Sequence, residues 1–115
     1  MKYYISKKIK SDFEQAVQQL TEALKKEGFG VLSEIDIQQK LNEKLDVDFR
    51  KYKILGACNP PIAHEALKLE DKIGTLLPCN VILQELDDNL IEVAAVDPAA
   101  SVSYTHLTLP TTPYV

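Results

Sequence analysis

Two apolar runs, Leu76 to Leu86 and Leu90 to Val96, flank the tripeptide Asp87-Asp88-Asn89. Asp and Asn suit tight turns because their side chains bond to nearby backbone and tolerate left-handed geometry. The pattern predicts a hairpin, and a hairpin makes at least one strand pair antiparallel. Strand-like and helix-like segments alternate ahead of it, so the expected class is α+β.

Those upstream segments are read from periodicity and punctuation. In residues 2–9, Tyr3, Ile5 and Ile9 alternate with lysines, the mark of a half-buried strand. Ser11-Asp12-Phe13-Glu14 reads as a capping box, with Ser11 accepting from the Glu14 N–H and the Glu14 carboxylate reaching back. Phe13, Val17, Leu20 and Leu24 then line one face of a helix. Lys25 and Lys26 suit its C-terminus, and Gly28 stops it. Phe29 to Asp36 predicts a second strand, in which Leu32 breaks the alternation. Ile37 to Leu45 predicts a short amphipathic helix, and Asp46-Val47-Asp48 a turn. Phe49 to Cys58 predicts a third strand, ended by Pro60 and Pro61. Pro61 suits the opening of a helix over Ile62 to Leu69, which Gly74 breaks. With Leu76 to Leu86 and Leu90 to Val96 the order is β-α-β-α-β-α-β-β, one domain over residues 1–100.

Composition narrows the function classes. A chain of 115 residues, 45% of them hydrophobic, accommodates one domain with a core. Its net charge of −4 opposes binding to a phosphate backbone, so no nucleic-acid partner is expected. Apolar runs fall well short of the roughly 18 residues that span a bilayer, so no membrane partner is expected either. Met1-Lys2-Tyr3-Tyr4 leads into a charged segment, unlike a signal peptide. The expected compartment is the cytoplasm, where thiols stay reduced. Lys7, Lys8 and Lys10, and Arg50, Lys51 and Lys53, are expected on solvated faces.

The chemistry-bearing candidates gather in two places. Cys58-Asn59-Pro60-Pro61 ends the third strand, and Pro78-Cys79-Asn80 lies in the fourth. If these strands are antiparallel neighbours, Cys58 and Cys79 come to one end of the sheet. They then either pack as small hydrophobes or form a redox or thiol-reactive pair. A metal is the weakest reading: there is no Cys-x-x-Cys, and two cysteines with one histidine fall short of four zinc ligands. Asn59 and Asn80 either bond to their own backbone or line a polar pocket beside the thiols. His64, on the helix after Pro61, is a surface histidine or a base for a cysteine nucleophile. Asp36 and Asp97 end strands and suit caps or turns, and Tyr3, Tyr4 and Tyr52 suit sheet faces.

Several of these segments, in order, resemble the domain-of-unknown-function family 302. They are Gly28-Phe29-Gly30-Val31-Leu32, Ile35-Asp36, Asp48-Phe49 and Tyr52-Lys53-Ile54-Leu55-Gly56-Ala57-Cys58-Asn59-Pro60. Ala63-His64-Glu65-Ala66-Leu67, Ile73-Gly74-Thr75-Leu76-Leu77-Pro78-Cys79-Asn80-Val81 and Ala95-Val96-Asp97-Pro98 continue the series. The resemblance runs from about residue 10 to 98. It implies a TATA-binding-protein-like fold, β-α-β(4)-α, with a curved, largely antiparallel sheet backed by helices, often in a homodimer. It also implies a last helix after Asp97-Pro98. Fold alone fixes no activity.

The end of the chain is of another kind. Ser101 to Val115 contains no Asp, Glu, Lys or Arg. Val102-Ser103-Tyr104-Thr105-His106-Leu107-Thr108-Leu109-Pro110-Thr111 resembles the in-frame translation of a sequencing-library adapter. Residues 101–115 are therefore expected to be a non-native tail that stands where the last helix belongs.

The expectation is a small domain that binds a ligand, or senses through thiols, near Cys58, Cys79, Asn59, Asn80 and His64. Two other classes stay open: an enzyme with a cysteine nucleophile and His64, and a structural dimerisation module. The sequence names no cofactor and no reaction.

Overall fold

The structure, a computed structural model, describes residues 3–96. Its elements are β1 (Tyr4–Lys10), α1 (Phe13–Lys26), β2 (Gly30–Asp36), α2 (Ile37–Leu45), β3 (Tyr52–Cys58), α3 (Pro60–Leu69), a 3-10 segment (Asp71–Leu76), β4 (Cys79–Asp87) and β5 (Leu90–Val96). The five strands form one sheet in the order β1-β5-β4-β3-β2, with every neighbouring pair antiparallel. The fold is α+β, and the sheet follows the expected β-α-β(4) order. The helix expected after Asp97-Pro98 and the tail from Ser101 lie outside the described residues.

Each helix is fixed at its ends by side chains the sequence supplies. In α1 the N-cap is Asp12, whose carboxylate accepts from the Gln15 N–H at 2.8 Å. The cap thus sits one residue later than Ser11-Glu14 suggests. Ser11 instead donates its hydroxyl to the Asp12 carbonyl. The reason is the apolar stripe: starting the helix at Phe13 turns Phe13, Ala16 and Val17 onto the sheet. At the far end Gly28 takes φ +88°. Phe29 N–H reaches the Leu24 carbonyl and Gly28 N–H the Lys25 carbonyl, which satisfies carbonyls a straight end would leave open. Asp36 caps α2 through the Gln39 N–H, and Asn59 caps α3 through the Ile62 N–H. Pro60 and Pro61 occupy the first turn of α3, where a missing N–H costs nothing.

Two strands depart from simple alternation. In β2 the register slips between Val31, opposite Ala57, and Ser33, opposite Gly56. Leu32 is the extra residue of a β-bulge and stands 68% exposed. This explains its break in the sequence pattern. β4 begins at Cys79, not at Leu76: Pro78 has no N–H to give a ladder, and Leu77 N–H closes the 3-10 turn on the Gly74 carbonyl. Likewise β3 begins at Tyr52, and the carbonyl of Phe49 accepts from the Gln38 side chain of α2.

The core lies between α1 and one face of the sheet. Phe13, Ala16 and Val17 of α1 meet Leu55 of β3, Leu83 of β4 and Ile91 of β5, with Ile9, Leu20, Val31 and Val93 around them. Leu55, Leu83 and Ile91 are fully buried. Each contributes about 1.5–3 kcal/mol of transfer free energy. α2 and α3 bury no residue, so the fold's stability is centred on the α1 face.

Candidate functional site

Strand register decides which side chains meet. Residues directly opposite in an antiparallel pair share a face, and neighbours along a strand point to opposite faces. Ala57 is opposite Cys79. Cys79 therefore lies on the α1 side of the sheet with Ala57 and Leu55. Cys58, one position on, projects from the other side. The two cysteines do come to one end of neighbouring strands, as expected, but not to one site. Both are free, with Cys79 exposed and Cys58 half-buried.

The other candidates separate as well. The Asn59 side-chain oxygen caps α3, accepting from Ile62 at 3.3 Å, so its role is local. His64 is exposed on α3 and makes no side-chain hydrogen bond or ion pair among the described residues, neither thiol included. Among those residues no group of three or more His, Cys, Asp or Glu is arranged to hold a metal ion. Asn80 is the candidate that lies on a cavity, and that cavity is on the face away from Cys79.

This second face is built from three cross-strand rows. The first runs Tyr4, Val96, then Asn80 and Gly56. The next runs Ser6, Ala94, Ile82, Ile54 and Ile35 across all five strands. The third runs Lys8, Glu92, Gln84 and Tyr52. A central row that is apolar from Ala94 to Ile35 is thus bordered by aromatic rings and polar groups. The β4 and β5 members of these rows, with Tyr4 and Tyr52 on either side and Tyr3 beside them, line a groove of about 370 Å³. Tyr3 and Tyr4 meet edge to face with ring centres 5.3 Å apart.

The polar wall is a chain of hydrogen bonds. Arg50 Nε donates to Gln84 Oε1 at 2.7 Å, and Gln84 Nε2 donates to Glu92 Oε1 at 2.8 Å. The guanidinium of Arg50 also lies 4.4 Å from the centre of the Phe49 ring. Gln84 is held from both sides, so its amide orientation is fixed, and with it the carboxylate of Glu92. Near the first row the backbone is tight: a Cβ at Gly56 would meet Ser33 Oγ and Pro78 Cγ, the latter at 2.6 Å. Glycine is required there because a side chain of β2 and the ring before β4 close over it.

The α1 face carries a different charge cluster. Lys53 is not on a solvated face: its side chain is only 15% exposed, with Nζ at 2.6 Å from Glu34 and 3.9 Å from Glu14. The hydrogen bond to Glu34 raises the Lys53 pKa above its ordinary value. Burial opposes that rise, while the charges of Glu34, Glu14 and Asp36 add to it. This cluster ties β2 and β3 to α1. A depression of about 480 Å³ on the outer side of α1 is lined by exposed Gln15, Gln18, Gln19, Glu22, Ala23 and Lys26.

Tyr4 and Tyr52 were legible as sheet-face residues, but Ile82, Gln84 and Glu92 were not singled out by sequence. Their signal is the period-two parity they share with Asn80 and Ala94, which becomes a site only once register is known.

A five-stranded antiparallel sheet, capped on one face by α1 and grooved on the other, defines a small α+β domain class. The model of the family described as "Domain of unknown function DUF302" matches residues 5–110, and the chain belongs to that family. The crystal structure of the uncharacterized conserved protein DUF302 from Bacillus stearothermophilus is similar, with a TM-score of 0.82 and 27% identity. The likeness covers 92% of this chain and 82% of that one. No curated protein matches the sequence. Among the described residues no helix is long and apolar enough to cross a membrane.

Proposed function

We propose that the chain is a ligand-binding module whose site is the groove on the Tyr4–Tyr52 face of the sheet. The observation that carries this reading is the joining of an apolar floor, Ile82 and Ala94, to an oriented polar wall, Gln84 and Glu92. Its volume of about 370 Å³ falls in the range of small-molecule sites, about 300–1,000 Å³. Such a groove suits a small amphipathic molecule with a flat or aliphatic body and one polar end. The thiol-sensing and cysteine-enzyme readings lose their support, because register parts Cys58 from Cys79 and His64 bonds to neither.

The test is amide NMR with 2-phenylethanol, indole and phenethylamine at millimolar concentration. Shift changes should cluster at Ile54, Ile82, Gln84 and Ala94. Changes centred on α1, or none with any of the three, would refute the reading. Homodimerisation, which the family resemblance implies, is a separate proposal that sedimentation of the native chain tests: a monomer at 100 µM would sink it.

A further inference from the structure

Resting on that reading, we infer that the groove selects an organic cation: a protonated amine or quaternary ammonium on a small apolar body. Three observations converge on this class. Glu92 is partly buried in the groove wall and makes no ion pair among the described residues. Its one hydrogen-bond partner among the described side chains is the neutral amide of Gln84, at Oε1. Tyr3, Tyr4 and Tyr52 border the same groove. Tyrosine faces attract cations through the ring quadrupole, and more strongly where water is excluded.

Among the described residues, the two nearest cations do not neutralise Glu92. Lys8 stands across from Glu92 in the β1–β5 register, on the same face, but is exposed and forms no ion pair with it. Arg50 gives its Nε to Gln84 and stacks on Phe49, outside the lining of the groove. The carboxylate therefore lines the cavity with its charge unmatched among the described residues, beside aromatic rings and an apolar floor. An anionic ligand would meet repulsion there. A neutral one would gain the floor but neither the carboxylate nor the ring attraction.

The test compares three probes on one body: phenethylamine (cation), 2-phenylethanol (neutral) and 3-phenylpropionate (anion). Dissociation constants come from NMR titration at pH 7. The cation should bind about fivefold to tenfold tighter than the alcohol, from a partly desolvated charge pair and the ring contribution. The anion should bind weakest. E92Q keeps an oxygen acceptor for Gln84 while removing the charge. It should erase the cation's advantage, so that phenethylamine and the alcohol bind the variant equally. K8M removes the neighbouring competitor and should tighten the cation alone. In the wild type, raising salt from 20 to 500 mM should shrink the cation's advantage, a readout that needs no variant to fold.

Equal affinity of cation and alcohol, both mapping to the groove, would overturn the cation class while leaving the ligand-binding reading intact. Binding of none of the three, nor of indole, would overturn both. An advantage for the anion, or a cation advantage untouched by E92Q and by salt, would also overturn the class.

Discussion

Gly56→Ala is the sharpest probe of how the second face is closed at its Cys58 end. In an ordinary strand, alanine would be favoured over glycine by about 0.5–1 kcal/mol, because glycine loses more backbone freedom on folding. Here the added methyl meets two groups of different stiffness. Ser33 Oγ sits on a side chain that can rotate away. Pro78 Cγ, at 2.6 Å, belongs to a ring anchored to the backbone ahead of β4. Overpacking of this kind costs about 1–3 kcal/mol, so the clash outweighs the entropic gain. The net loss should be roughly 1–2 kcal/mol. For a domain of this size that lowers the melting midpoint by roughly 5–10 °C. Adding Ser33→Ala removes the oxygen but not the ring, and should restore less than half of the loss. Thermal unfolding followed by circular dichroism measures all three proteins. A G56A protein as stable as wild type would refute the close approach. Full rescue by Ser33→Ala would show that Pro78 is no wall.

Leu83→Ala should cost about 2–5 kcal/mol, since Leu83 is wholly enclosed between α1 and the sheet; a urea midpoint within 0.2 M of wild type would contradict the core assignment. The raised Lys53 pKa gives a pH signature. Its stabilisation is fully present below the ordinary value of 10.5 and is lost as pH climbs through the higher folded value. Wild-type stability should thus fall more steeply than that of Glu34→Gln as pH rises above 10.5, and parallel urea-midpoint curves would exclude the pairing. Asp12→Ala should lose about 0.5–2 kcal/mol, whereas Ser11→Ala should lose less, because Asp12 is the cap; the reverse order in urea unfolding would restore the Ser11 capping box. Thiol labelling should modify Cys79 before Cys58, and diamide at micromolar protein should yield no intramolecular disulfide; recovery of a Cys58–Cys79 peptide by mass spectrometry would disprove the opposite-face register.

Most elements were legible because their signals are local. The stripe of Phe13, Val17, Leu20 and Leu24, the stop at Gly28 and the turn at Asp87-Asp88-Asn89 each depend on a few neighbouring residues. Even Leu32 announced its bulge by breaking the alternation. What could not be read was parity between strands. Cys58 and Cys79 were expected at one end of neighbouring strands, and they are there, but a single step of register decides whether they share a side. That step is set by Leu55 facing α1 and by Pro78 delaying β4, both tertiary facts. The same gap hid Ile82, Gln84 and Glu92, which are ordinary strand residues until Tyr4 and Tyr52 are brought across from other strands. Lys53 was misjudged for a related reason, since Glu34 and Glu14 lie on other elements.

The bulge at Leu32 bears on more than the path of β2. β2 and β1 are the two borders of the sheet, where unpaired backbone groups invite another chain to add on. On β2 the extra residue spoils the even spacing that an incoming strand would need. On β1, Lys7, Lys8 and Lys10 crowd positive charge along the other border. Two copies brought rim to rim would meet a kink on one side and mutual repulsion on the other. The two borders are thereby guarded against runaway stacking of copies into fibres.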